Sequence, residues 1–313
     1  MPPKDSMKVL VRRYLTHRRG FGYGLISQRF DLAAFARFAD RIAPGKSLTV
    51  SLALRWARRG AVEPVTVANR LSAVRGFARF CAVLDPRTQV PPKPLTHSPV
   101  RRRAPHIFTD AQVTLILRRT QGLLPWRTSS LRPLTYRTLI GLLVCTGFRL
   151  GEALRLRDEH FDAVAGTLRV PAVKWSPGRV VPLHPSTVRA LKRYQNRRKA
   201  QFPTATRFFV GPLGHPVQTC SADRTFRHLV RGIRPNGARQ NIRLYDLRHT
   251  LATKLIARWS RQSVPLAHRL VMLSRYLGHK YFHHTYWYVQ HQRATLQAAA
   301  VRFERYHMET NPR

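Results

Sequence analysis

Five side chains of this 313-residue sequence can together break a phosphodiester without a metal ion. Arg149 lies in Thr146-Gly147-Phe148-Arg149-Leu150-Gly151-Glu152 and Lys174 in Val173-Lys174-Trp175-Ser176-Pro177-Gly178-Arg179. Arg248 lies in Tyr245-Asp246-Leu247-Arg248-His249, His279 in Leu277-Gly278-His279, and Tyr288 ends Thr285-Tyr286-Trp287-Tyr288. A guanidinium donates paired hydrogen bonds to adjacent phosphate oxygens, and its charge does not titrate away. Attack on phosphorus loads those oxygens with extra charge, so each donor fixed in advance is worth about 2.7–4 kcal/mol in the transition state. A lysine ammonium can protonate the departing 5′ oxygen. A tyrosine oxygen can attack and hold the broken bond's energy in a covalent intermediate. Two arginines make a magnesium ion unnecessary, and the scarce acidic residues do not cluster as oxygen ligands would. No metal and no cofactor is expected.

Each residue alone has an ordinary explanation. Arg149 follows a helix-ending glycine, which lets its side chain leave the core, and a structural salt bridge to Glu152 is the commonest use of such an arginine. A lysine in a hairpin is usually a solvated charge. Tyr281 and Tyr286 rival Tyr288 as nucleophile, and a tyrosine-rich segment is more often a packing surface. His279, His283 and His284 lack the cysteine or carboxylate partners of a metal site, so that reading is set aside.

The elements that must position these groups follow from periodicity and punctuation. Over 85–105 the periodicity lapses, while Pro86, Pro91, Pro92, Pro94, Pro99 and Pro105 alternate with basic residues, including Arg101, Arg102 and Arg103. Proline at that density stiffens a linker and prevents helix formation. It predicts two domains, over 1–100 and 101–313. In the first, Phe30, Ala34, Phe38 and Ile42 recur every four residues, and Val67, Leu71, Val74, Ala78 and Cys81 keep the helical period. Arg70, Arg75 and Arg79 leave the other sides of that second helix as candidates for a DNA-facing surface. A small all-helical bundle is expected. In the second domain, Thr109 and Gln112 read as a capping box opening a helix through Arg118. An apolar, buried helix follows over 133–145, ended by Gly147. Residues 167–170 and 179–183 read as short strands around Ser176-Pro177-Gly178. Further helices are expected from about Ser186, Ser221 and Asp246, and over 293–305. The fold class is mainly α with a small β-sheet.

Composition narrows the partner. There are 56 Lys+Arg against 14 Asp+Glu, a net charge of +42, and 43% hydrophobic residues. Such a chain has ample core, and its self-repulsion calls for a polyanion, which makes nucleic acid the expected partner. A ribosome-associated protein and a merely basic surface remain the bland alternatives. The densest apolar run, 139–145, falls far short of the roughly 20 residues that span a bilayer. The N-terminus has no apolar stretch of a secretory signal. Cys81, Cys145 and Cys220 are too few and scattered for a disulfide framework. Cys81 and Cys145 are expected as core fillers, and the compartment as the cytoplasm, with nucleoid association.

With the motifs on the page, the chain resembles the tyrosine recombinases, the phage integrase family. The resemblance rests on Thr146-Gly147-x-Arg149-x-x-Glu152, Lys174 with Arg179 and Pro182, Leu247-Arg248-His249, and Leu277-Gly278-His279 with Tyr288, over about 107–290. It implies a helical core-binding domain and an α+β catalytic domain closing on duplex DNA. Arg149 and Arg248 would hold the scissile phosphate, Lys174 would be the general acid, and His279 would assist. Tyr288, favoured over Tyr286 by its distance from Leu-Gly-His, would form a 3′-phosphotyrosine. Glu152 and His249 would support the site. Arg179 joins the DNA-binding candidates. Four protomers, alike or with sister recombinases, would pair two DNA sites for integration, excision or transposition of a mobile element, the 293–305 helix docking on a neighbour or on its own domain. Where the family usually carries histidine three residues before the second arginine, this chain has Tyr245. A phenol with pKa near 10 is a poor base at neutral pH, though it can donate a hydrogen bond to phosphate. Two other readings stand beside this one: a binding-only protein of the same fold, and a type IB topoisomerase-like relaxer.

Overall fold

Pro64 opens the longest helix of the first unit, at a position where its missing N–H needs no partner and its fixed φ suits a helix. In the computed structural model Val67, Leu71, Val74, Ala78 and Cys81 line the inner face of that helix, and all five are buried. The structure describes residues 5–25, 28–93, 104–172, 178–234, 241–262 and 265–290. The chain divides into Met1–Arg102 and Arg103–Arg313.

The first unit contains α1 (Met7–Gly20), α2 (Gln28–Ile42), α3 (Val50–Ala57) and α4 (Pro64–Leu84), with no strand among its described residues. Ser6 and Thr49 cap α1 and α3 by accepting from Val9 N and Leu52 N. Tyr14, Phe35, Trp56 and Phe77 form the aromatic centre, joined edge to face. The inward stripe of α2 differs from the one expected. Leu32, Phe35, Ala36, Phe38 and Ala39 are buried, whereas Phe30 is 64% exposed and Ile42 is exposed too. Steps of four residues advance about 400°, so a strict four-residue series drifts by about 120° over three steps. Only its middle can stay inside.

The proline-rich stretch also begins later as a linker than its composition suggests. Gln89 N donates to Leu48 O (2.8 Å), and the Gln89 side chain accepts from Val50 N (3.0 Å). Arg75 donates from Nε to Pro91 O (2.8 Å) and from Nη2 to Pro92 O (2.9 Å). Arg75 is therefore not a surface candidate for DNA: it is 8% exposed and ties 91–92 to α4. Arg79 is exposed, as expected. Residues 94–103, with Arg101, Arg102 and Arg103, lie outside the described residues.

The second unit opens with α5 (Asp110–Arg119), whose capping box between Thr109 and Gln112 is complete. Its central helix is α6 (Arg132–Thr146), closed by Gly147 in the left-handed conformation and followed by α7 (Leu150–Leu154). A three-stranded antiparallel sheet comes next: β1 (Phe161–Asp162), β2 (Thr167–Val170) and β3 (Arg179–Pro182), with Leu168 opposite Val181 and Val170 opposite Arg179. The β2–β3 hairpin matches expectation; β1, only two residues long, gave no pattern to read. Helices α8 (Pro185–Gln201), α9 (Thr219–Leu229), α10 (Tyr245–Ser260), α11 (Leu266–Leu277) and α12 (His283–Gln290) complete the unit. One core centres on Tyr136, Leu139, Leu143, Tyr194, Phe208 and Phe226. A smaller one joins α10, α11 and α12 through Ala252, Ile256, Leu270, Leu273, Leu277 and Tyr288. Cys81 is buried, but Cys145 is exposed and fills no core. The expected 293–305 helix lies outside the described residues, among which no helix is long and apolar enough to cross a membrane.

The carbonyl clamp of Arg75 is testable. Arg75→Leu leaves two carbonyls without their charged donor and should destabilise the first unit by about 1–3 kcal/mol. Tryptic cleavage after Arg87, whose side chain is exposed and which precedes Thr88, should accelerate in parallel. An unchanged urea midpoint together with unchanged cleavage would contradict the clamp.

Candidate active site

Two left-handed glycines end helices at this site, and the carbonyls beside them hold two arginines. Gly147 (φ 63°) closes α6 and its oxygen accepts from Arg248 Nη1 at 2.7 Å. Arg248 stands in the first turn of α10 and reaches Leu277 O, the last residue of α11, through Nη2 at 2.7 Å. Gly278 (φ 67°) closes α11, and its oxygen accepts from Arg149 Nη2 at 3.0 Å. A side chain at either glycine would be strained by φ and crowded. A Cβ on Gly147 would meet Leu251 and Leu277 at 3.0 Å, and one on Gly278 would meet Arg179 Nη1 at 2.6 Å. Helix C-termini carry partial negative charge, so these carbonyls are suited to cations.

Glu152, in the single turn of α7, supplies the carboxylate. It accepts from Arg149 N (3.0 Å), Arg149 Nη1 (2.8 Å), Arg179 Nη1 (3.2 Å) and Arg179 Nη2 (2.9 Å). Burial opposes ionisation of this carboxyl, but bonds and charges from Arg179 and Arg149 outweigh it and hold the pKa at about 2. Arg179 also donates from Nε to Tyr276 O (2.8 Å) and lies over the Phe148 ring. It is thereby removed from the DNA-facing candidates: hydrogen bonds to Glu152 and Tyr276 occupy its guanidinium inside the protein. The Arg149–Glu152 salt bridge is likewise real, and it coexists with the bond to Gly278.

Around Arg248 the aromatic groups converge. Arg248 is 1% exposed, and its Nε has no hydrogen-bond partner among the described residues. Tyr288, in α12, is 3% exposed, whereas Tyr286 is 46% exposed and Tyr281 is exposed as well. Of the three phenols, only Tyr288 lies inside. Burial pushes its pKa up to about 12, against the pull of Arg248. The His279 ring lies parallel to Tyr288, 6.3 Å between centroids, and its Nδ1 is 2.6 Å from Thr285 Oγ1. Burial, then the charges of Arg248 and Arg149, lower the His279 pKa to about 3, so its imidazole is neutral at neutral pH. Tyr245, exposed at the start of α10, meets His249 edge to face at 4.8 Å, and His249 lies 5.4 Å from Tyr288. The structure thus brings together Arg149, Arg248, His279 and Tyr288, with Glu152, His249 and Tyr245 beside them. Lys174 lies outside the described residues.

Two basic concavities escaped the sequence reading. In the second unit Arg132, Arg224, Arg227, His228 and Arg231 line about 460 Å³. In the first, Arg37, Arg41, Arg59 and Arg70 surround Trp56 in about 510 Å³. Arg70, which sequence had marked, is held there by Ala57 O and Arg59 O. The signal in α9 was available, because Arg224 and Arg227 are three residues apart on one helix face. The other groups join residues distant in sequence.

The site's ionisation predicts two overlapping acid limbs of stability. Glu152 binds its proton more weakly folded than unfolded, so its contribution is present above pH 4.5 and disappears as pH falls towards about 2. His279 stays neutral when folded, so below pH 6.5 the unfolded chain takes up the proton first and stability falls down to about pH 3. In urea titrations Glu152→Gln should flatten the lower limb and His279→Gln the upper one. Unchanged limbs in both variants would refute the field described here.

The phage integrase family model matches residues 108–295. The sequence is 36% identical over 311 residues to "Putative integrase/recombinase y4rB" of Sinorhizobium fredii, covering 96% of this chain and 98% of that one. It is 29% identical over 268 residues to the tyrosine recombinase XerC of Rhodospirillum centenum, covering 80% and 76%. Among solved structures, the Tn1549 transposon integrase in complex with transposon right end DNA superposes with a TM-score of 0.66 at 18% identity, covering 96% of this chain and 99% of that one. Fold, motif order and sequence similarity agree: the chain belongs to the phage integrase family, the tyrosine recombinases.

Proposed function

We propose that this protein cleaves and rejoins DNA at specific sites through a 3′-phosphotyrosine on Tyr288, without a divalent ion, to integrate, excise or transpose a mobile element. The observation that carries the reading is the buried phenol of Tyr288 beside two guanidiniums already fixed by backbone carbonyls. Each guanidinium has five N–H donors, and the carbonyl and carboxylate bonds leave part of each fork free to take non-bridging oxygens. Fixed donors need no rearrangement as charge develops on the phosphate, which is how such groups lower a barrier. Neutral His279 can donate one further hydrogen bond without adding charge. Lys174 is assigned the proton for the 5′ oxygen, and Tyr245 a hydrogen bond to the phosphate. Rejoining is the reverse, with a 5′-hydroxyl of the partner strand attacking the phosphotyrosine.

Each unit has its part in this reading. The first binds DNA as the core-binding domain, Arg37, Arg41, Arg59 and Arg70 supplying phosphate contacts, and the second carries catalysis. Such contacts position the protein without reading sequence. Two sites are paired by four protomers, in the cytoplasm where the element's DNA lies.

The test is a duplex nicked near the scissile phosphate, incubated with protein in EDTA. A covalent protein–DNA adduct should form, vanish in Tyr288→Phe and persist in Tyr286→Phe. Arg248→Ala should slow it by about 10²–10³-fold. An adduct in Tyr288→Phe would overturn the assignment. Duplex affinity should fall steeply with salt, log K dropping by about 0.9 per neutralised phosphate for each log unit. A flat response would remove the electrostatic basis of binding.

A further inference from the structure

Tyr288 must lose a proton as it attacks, and its burial makes that loss harder than for a free phenol. Three titratable rings stand in this cluster. His279 is parallel to Tyr288, but its Nδ1 is engaged with Thr285 Oγ1 and two arginine charges face it. Its lowered proton affinity makes it a poor acceptor and suits it to donating. Tyr245 carries a phenol like Tyr288 itself and no imidazole. The third ring is His249. It follows Arg248 in α10, is half-buried, and has three rings around it, with centroids at 4.8 Å (Tyr245), 5.4 Å (Tyr288) and 5.6 Å (Trp287).

We propose that His249 is the general base that takes the Tyr288 proton, and that Tyr245 and Trp287 hold its ring in place. This rests on Tyr288 being the nucleophile. In the forward step the Tyr288 oxygen bonds to phosphorus as its proton passes to a ring nitrogen of His249. The bond from phosphorus to the 5′ oxygen breaks, and that oxygen takes a proton from the general acid. In rejoining, a 5′-hydroxyl attacks the phosphotyrosine, giving its proton back to the acid, while protonated His249 returns its own to the departing Tyr288 oxygen. Atoms and charge balance in both directions, and no co-reactant is required. Arg248 and His249, adjacent on one helix turn, then serve the phosphate and the nucleophile respectively.

The experiment measures the rate of adduct formation on the nicked duplex with His249→Gln and His249→Asn, each with Tyr288 or with a fluorinated, more acidic tyrosine at that position. Helix content and duplex affinity are recorded alongside, and two substitutions guard against one failing to fold. Losing the base should slow cleavage by about 10²–10⁴-fold with duplex affinity retained. The more acidic phenol should shrink that defect at least tenfold, because it needs less help in ionising. A His249 that only packs would give the same defect with either phenol. A defect below threefold, or one that the fluorinated tyrosine leaves unchanged, overturns the proposal. No adduct from the unsubstituted protein would instead count against Tyr288 as nucleophile.

Discussion

Three guanidiniums meet where there is one buried carboxylate, and it serves two of them. Arg149 and Arg179 both bond to Glu152, while Arg248 finds no carboxylate and rests on Gly147 O and Leu277 O. Most of the second unit's arrangement follows from that imbalance. Charges this deep need partners, and with Glu152 spent, the partners must be backbone carbonyls that helix geometry leaves unpaired. The ends of α6 and α11 must therefore meet at α10. Both must turn sharply where they end, which only glycine does without strain, and neither Gly147 nor Gly278 leaves room for a Cβ. The Thr146-Gly147 and Leu277-Gly278-His279 sequences are the covalent trace of that electrostatic requirement.

The excess positive charge also sorts the neighbouring groups by type. Together with burial, which is the larger cause, it keeps His279 neutral, because a second proton would add charge to a site already short of anions. It should favour an ionised Tyr288, yet burial prevails and the phenol stays protonated. Desolvation and the arginines' field oppose each other at Tyr288, whereas at His279 they act together. A phosphodiester entering between the arginines would relieve the positive field, raising the proton affinity of both groups. Removal of the Tyr288 proton is then a task for a nearby base more than for the arginines. This is the physical reason why a half-buried imidazole beside the phenol matters.

Much of this is legible in the sequence alone. The order of Gly147, Arg149, Glu152, Arg248, Gly278, His279 and Tyr288 named the site, because a cleft assembled from helix ends leaves short motifs at each end. The α4 stripe and the Thr109–Gln112 cap were legible since both are local. What failed was burial. Arg75 and Arg179 looked like surface cations because charge is visible in sequence and desolvation is not; one clamps Pro91 and Pro92, the other Glu152. The α2 face was misplaced by following a four-residue step, and Cys145 by assuming that every side of α6 is covered. The concavity around Trp56 joins α2, α3 and α4, and a contact between helices has no period to betray it.

The same substitution of carbonyl for carboxylate recurs away from the site. With 14 acidic residues against 56 basic ones, most arginines cannot have an acidic partner. Arg70 takes Ala57 O and Arg59 O, Arg119 takes Leu229 O and Arg231 O, and Arg207 takes Arg155 O. A carboxylate would fix an arginine and cancel its charge; a carbonyl fixes it and leaves the charge uncancelled. Such a chain holds its guanidiniums in place while preserving the field they create. That combination suits binding to a regular polyanion better than either a neutralised surface or a set of free, flexible cations. Ordering entropy is then settled at folding, and counterion release remains available when the polyanion arrives.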